Sequence, residues 1–164
     1  MSKKKSRKPA RVDYWHDPAA PNPTTRKPSA SVIALNSAGN ILLLRRADTG
    51  RWTIPTGGLK KNETLTACAV RECREETGLE VEVTGLAGLF SDPGHVTAYA
   101  SGEVRQPVNA CFTARVIGGE LTTTKEATAV AWVPPAALDD YDIHPSIRRR
   151  LTHGLQPGPA PHVD

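Results

Sequence analysis

Between Gly57 and Leu79 the chain places three glutamates, Glu72, Glu75 and Glu76, on one side of a segment, residues 65 to 77, that reads as a helix. Thr64 is of the residue type that caps helix N-termini, no Gly or Pro interrupts residues 65 to 77, and Gly78 supplies the stop. Glu72, Glu75 and Glu76 are related by i, i+3 and i, i+4, so their carboxylates share a face. Like charges at that spacing cost roughly 0.2–0.5 kcal/mol per pair on an exposed helix. Burial makes the repulsion larger. A helix that needed only a polar face would interleave lysines there. An all-oxygen, converging, negative donor set suits a hard divalent cation, Mg²⁺ or Mn²⁺. A merely solvated acidic face is the alternative.

The same stretch resembles the Nudix box, G-x5-E-x7-R-E-U-x-E-E-x-G-U, where U is a bulky aliphatic residue. Gly57, Glu63, Arg71, Glu72, Glu75, Glu76 and Gly78 occupy the fixed letters, and Leu79 fills the last aliphatic position. Cys73 fills the other, as a small hydrophobe. The resemblance implies an α/β fold, an α/β/α sandwich around a mixed sheet, over roughly residues 29 to 155. It implies an enzyme: a metal-dependent pyrophosphohydrolase cleaving the phosphoanhydride of a nucleoside diphosphate linked to another moiety, X. Glu72, Glu75 and Glu76 become the metal ligands and catalytic carboxylates, with Glu76 or Glu72 orienting the attacking water. Glu63 and Arg71 become a salt bridge tying the loop to the helix, structural alongside Gly57 and Gly78. The carbonyl before the box glycine often joins the metal site, and that position is Thr56, where the family more often has Gly. A further acid usually comes from a distant loop. Glu126 holds the matching place, with Glu103 and Glu120 as competitors.

The substrate is less legible. Ser91-Asp92-Pro93-Gly94-His95 resembles a Ser-Pro-Gly segment of ADP-ribose-cleaving members, with Asp92 and His95 as departures, so ADP-ribose or a nucleotide sugar comes first. His95, Tyr99, Glu103 and Arg105 form a set able to stack on a base and pair with phosphate. Arg45 and Arg46, at the end of a strand, could touch phosphate as well. Cleavage of (deoxy)nucleoside triphosphates, as in MutT-type house-cleaning, is the second reading. A non-catalytic, nucleotide-sensing Nudix domain is the third, disfavoured by the intact box. The zinc-ligating cysteines of NADH-cleaving members and the upstream motif of coenzyme A-cleaving members are absent.

Charge and composition bound the rest. A chain of 164 residues with 38 % hydrophobic and 23 % charged residues supports one domain with a core. No apolar run approaches a membrane span and no apolar stretch follows the basic N-terminus, so neither membrane anchor nor secretory leader is expected. Cys68, Cys73 and Cys111 are odd in number and lack C-x-x-C spacing, which reads as reduced core thiols of a cytoplasmic protein. The net charge of +4 is concentrated in residues 1 to 11 and at Arg148, Arg149 and Arg150. The basic tail is read as solubilising, so the partner is a nucleotide-derived small molecule, not a nucleic acid.

Residues 1 to 28, basic and rich in proline, are expected to be an extended, partly disordered arm rather than a packed element. Within it Tyr14 and Trp15 could dock on the domain or on a second copy, which leaves a homodimer open. Strands are expected at 31–35 and 41–44 around a hairpin loop, then one long or two short strands over 79–90. A polar loop over 91–106 follows, then strands at 109–116 and 129–133 and a short helix starting at Pro134. Pro145 suits the first position of a last helix with Ile147 and Leu151 inward. Residues 156 to 164 remain as a tail.

Overall fold

In the computed structural model, residues 10–156 and 158–164 are described; the basic run that opens the arm lies largely outside them. The sheet is built around two long parallel neighbours, β2 (Thr25–Leu35) and β8 (Val104–Gly119), which run in register from Thr25↔Arg105 to Leu35↔Arg115. Parallel strands are buried on both faces and so read as near-continuous apolar runs. That is how Ala30, Val32, Ile33 and Ala34 come to be fully buried together.

The other edge of β8 carries first β7 (His95–Tyr99) and then β6 (Leu79–Phe90), both antiparallel. On the opposite side, β2 meets β5 (Thr56–Gly58) and, through the Asn36–Asn40 hairpin, β3 (Ile41–Arg46). β3 pairs with β4 (Trp52–Thr53) and with β9 (Ala127–Val133).

Helices cover the two faces. α1 (Leu65–Thr77) packs on β2 and β6, where Ala30, Val32 and Ala34 meet Cys68, Ala69 and Cys73. α2 (Pro145–Leu155) covers the other face, where Ile33, Leu43 and Cys111 meet Ile147 and Leu151. Consecutive residues of β2 thus feed opposite cores, as the period-two alternation of strand side chains requires. This is the expected α/β/α sandwich. All three cysteines are buried and free, and among the described residues no helix is long and apolar enough to cross a membrane.

Three expectations are revised. The arm is not unpacked throughout: β1 (Arg11–Trp15) pairs antiparallel with β7 over its whole length. That edge gives the arm backbone partners, and Trp15 docks edge-on against the rings of His95 and His144. The stretch 91–106 is not simply a loop either, since β7 and the first residues of β8 form a hairpin inside it. Its polar composition reflects a strand facing a polar cleft instead of a core. The tail also contributes: β10 (His162–Val163) adds to β6 in parallel. The short helix forms as a 3-10 turn over Pro135–Asp140.

Candidate active site

α1 begins and ends as its residue types require. The Thr64 hydroxyl accepts from the Ala67 N–H, and Gly78 takes a left-handed φ of 78°, with its N–H donating to the Arg74 carbonyl. A side chain at Gly78 would also strike the Glu120 backbone carbonyl. At the other end, a Cβ on Gly57 would overlap the Glu72 carboxylate, so the β5 backbone must lie bare against α1.

Arg71 organises this junction. Its guanidinium donates to both oxygens of Glu63 (2.6 and 3.0 Å), to Glu72 at 2.6 Å, to Glu75 at 3.1 Å and to the Gly58 carbonyl at 3.0 Å. The Glu63–Arg71 pair expected from the box is therefore formed. Hydrogen bonds from Arg71 and from the Lys60 N–H hold the Glu63 carboxyl down to about 2. Glu72 lies against Gly57 within this lattice. Glu75, in contrast, is half exposed between Arg71 and Lys60 and does not line the cleft described next.

A cleft of about 700 Å³ opens between α1, β5 and the ends of β1, β7 and α2. Glu72 and Glu76 line it. Glu76 carries one hydrogen bond, from the Thr56 N–H at 3.3 Å. Burial, and then the negative charges of Glu72 and Glu126, push its carboxyl up to about 8 against the opposing pull of that N–H and of Arg46. Glu126 shares the cleft wall with Glu76 and Arg46, and Glu103 and Glu120 do not. Thr56 thus meets Glu76 through its N–H, and its hydroxyl donates to the Ile54 carbonyl at 3.0 Å.

The oxygen-only set of Glu72, Glu76 and Glu126 fits a hard divalent cation. A carboxyl whose protonation is favoured by neighbouring carboxylates is one whose repulsion a bound cation would relieve. Among the described residues no three His, Cys, Asp or Glu side chains converge closely enough to form a finished cage without the ion.

The remaining sequence-read residues divide. Arg46 lines the cleft, and although burial opposes its charge, ion pairing to Asp48 at 2.7 Å raises its pKa. Arg45 does not: its Nε donates to the Gly50 carbonyl at 2.9 Å, outside the cleft. His95, Tyr99 and Arg105 all face in, with the Arg105 guanidinium 4.6 Å from the Tyr99 ring centre. Glu103 stays out of the cleft and braces Arg105 with two contacts of 2.9 Å. Asp92, Pro93 and Gly94 also lie outside it, in a turn held by His16 (2.9 Å to Asp92) and by Asp164.

Sequence reading missed most of the wall on which His95 lies. Arg11 and Asp13 enter from β1, Thr97 from β7, and His144, Ser146 and Arg150 from α2. Asp13 is buried, which alone would raise its carboxyl. The nearby His95 ring (3.7 Å), the Arg11 guanidinium and hydrogen bonds from Arg11 and Thr97 hold it well below the usual carboxylate range instead. Burial lowers His144 to about 4, with Asp13 opposing and His95 assisting. The one available sequence signal was the Tyr14-Trp15 pair, whose docking carries Arg11 and Asp13 to the cleft.

Comparison with known proteins is consistent with this geometry. A family description, NUDIX domain, matches residues 25–154. A MutT-like protein of Streptomyces ambofaciens is 34% identical over 149 residues, 88% of this chain and 86% of the relative. Nucleoside triphosphatase NudI of Enterobacter sp. (strain 638) is 29% identical over 106 residues, 63% of this chain and 75% of the relative. The fold is similar to the crystal structure of a NUDIX hydrolase from Nitrosomonas europaea, with a TM-score of 0.68 at 23% identity, covering 87% of this chain and 79% of that one.

Proposed function

This chain belongs to the NUDIX family and is a pyrophosphohydrolase acting on phosphorus anhydrides, and from that premise we propose that it cleaves a nucleoside diphosphate linked to a further moiety X, using Mg²⁺ or Mn²⁺. The observation that carries this reading is the pairing of Glu72 and Glu76 on one wall of a cleft that Arg11, Lys27, Arg46, Arg51 and Arg105 also line. Anhydride hydrolysis needs negative charge neutralised around the bridging phosphates and a water made nucleophilic, and those two groups of side chains divide the tasks.

Glu72, Glu76 and Glu126 would hold the divalent ion, which when bound supplies charge neutralisation and lowers the pKa of water. Glu72 is already committed to Arg71. Glu76 has only the Thr56 N–H, so its free oxygen is the one placed to accept the proton of an attacking water. The Arg71–Glu63 lattice keeps the carboxylate face in register with the glycine loop, a positioning role. Tyr99 and Arg105 offer a flat stacked surface for a base, and His95 lies beside them.

For X, ADP-ribose or a nucleotide sugar remains one reading, although the turn that suggested it lies outside the cleft. Nucleoside triphosphates, where X is phosphate, are the second, supported by the activity named for the NudI relative. Purified protein assayed against a nucleotide panel with Mg²⁺ and Mn²⁺, with product identification, tests the class and ranks the two. Glu76→Gln is expected to lower turnover by a factor of about 100 or more with the fold intact. Undiminished activity in EDTA or in that variant would remove the mechanism.

A further inference from the structure

The cleft wall facing α1 contains a cation that the fold does not neutralise. Arg148, Arg149 and Arg150 follow one another on α2, but their surroundings differ. Arg148 donates to the Tyr141 carbonyl at 2.6 Å and pairs with Asp139 at 3.3 Å. Arg149 pairs with Asp164 at 2.5 Å. Arg150 is only 4% exposed, its Nε is buried without a partner, and among the described residues no carboxylate lies within ion-pairing distance of it. Its guanidinium sits 5.9 Å from the centre of the Phe90 ring. Burial lowers its pKa to about 10, which leaves it charged at neutral pH.

An unpaired guanidinium in such a place is destabilising, and nearly all buried polar groups in folded proteins find partners. The second such atom among the described residues is His95 Nε2, which stands 3.7 Å from Asp13 Oδ1. Both side chains line the cleft. Two orphaned polar groups on one wall, one of them a fixed cation, describe a site completed by an anion.

We propose that Arg150, with His95 beside it, forms an anion subsite that receives a negatively charged group on X, beyond the scissile pyrophosphate. The proposal rests on the pyrophosphohydrolase reading and narrows it. The substrates selected are those whose X ends in phosphate, as in nucleoside triphosphates, or in carboxylate, as in nucleotide sugar acids. A guanidinium accepts either through paired N–H donors. Uncharged sugars are disfavoured, and ADP-ribose, whose distal ribose is neutral, falls among them.

Two matched pairs test this in the full chain: UDP-glucose against UDP-glucuronate, and UDP against UTP. Calorimetric binding is measured in EDTA and kcat/KM in Mg²⁺. The member with the additional negative group in at least one pair is expected to bind about tenfold or more tighter. Preference confined to UTP identifies phosphate, and preference confined to UDP-glucuronate identifies carboxylate. Arg150→Met should erase the preference within each pair and raise Tm by a few degrees, because a buried unpaired charge is removed. Arg150→Lys should keep part of the preference. Equal binding within both pairs, a preference that survives in folded Arg150→Met, or a variant that melts lower or fails to fold would each overturn the proposal. Absence of hydrolysis with the binding difference intact would sink the hydrolase reading alone. Hydrolysis without discrimination would sink the subsite alone.

Discussion

The two walls of the cleft are built on opposite principles. On the α1 wall, charges meet partners that are near in sequence: Arg71 reaches Glu63, Glu72, Glu75 and the Gly58 carbonyl, all within a single loop–helix unit. On the facing wall, β1, β7 and α2 bring together Arg11, Asp13, His95, His144 and Arg150 from positions far apart in the chain. Two polar atoms there, His95 Nε2 and Arg150 Nε, are left without partners. On the first wall the Arg71 lattice is organised before any ligand arrives, with Glu76 left to a single N–H, and it suits chemistry that must be common to every substrate. The second is balanced only when something negative occupies it, and it suits selection among substrates.

The sharpest way to break that contrast is to delete residues 1 to 15, which removes β1 from the edge of β7. Losing the burial of Val12 and Trp15 should lower stability by about 2–4 kcal/mol and abolish substrate preference together with Arg11 and Asp13. Deleting residues 1 to 9 alone should change neither stability nor hydrolysis. If both truncations behave as wild type in melting and kinetics, the facing wall has no functional part in β1.

Substitution of one arginine from each wall should then move stability in opposite directions. Arg71→Met strands Glu63 and Glu72 and is expected to reduce stability by about 1–3 kcal/mol, with turnover falling on every substrate alike. Arg150→Met is expected to stabilise. Urea denaturation of both variants decides the matter, and a shared sign would erase the distinction between a paired and an unpaired cation.

A smaller effect separates the walls by pH. His144 has a folded pKa of about 4, below its ordinary value of 6.5, so the unfolded chain binds the extra proton first. Its contribution is present above about pH 6.5 and lost as pH falls toward 4. The Glu76 carboxyl, raised to about 8, acts in the opposite direction, since its contribution is lost as pH rises. The measurement therefore belongs in a Glu76→Gln background. There, stability should fall by about 2 kcal/mol between pH 6.5 and 4, and His144→Asn, which preserves a capping side chain, should flatten that slope. An unchanged slope would assign the pH dependence to other groups.

The smallest expected effect concerns Glu126. Glu126→Gln should raise the metal concentration needed for half-maximal rate while leaving Tm in EDTA unaltered. A wild-type metal dependence would confine the ion to Glu72 and Glu76.

What the sequence determined by itself is what depends on neighbours in the chain. Helix periodicity put Glu72, Glu75 and Glu76 on one face, Thr64 and Gly78 bounded α1, and Pro145 opened α2, because capping and backbone φ are local preferences. The strands of the core were legible for the same reason, from apolar runs. Other outcomes depended on which strand edges meet. Arg45 turned out to a loop carbonyl while Arg46 turned in, since adjacent strand residues face opposite sides and only the register of β3 chooses between them. The polar stretch after Ser91 became β7 because β1 and β8 offered it backbone partners on both edges. Arg150 became an unpaired cation in the cleft, and Arg148 and Arg149 did not, because the docking of α2 on the sheet turned one residue in three inward. Burial and pairing arise only once distant segments pack, and they decided which of three identical arginines was left with a charge to share.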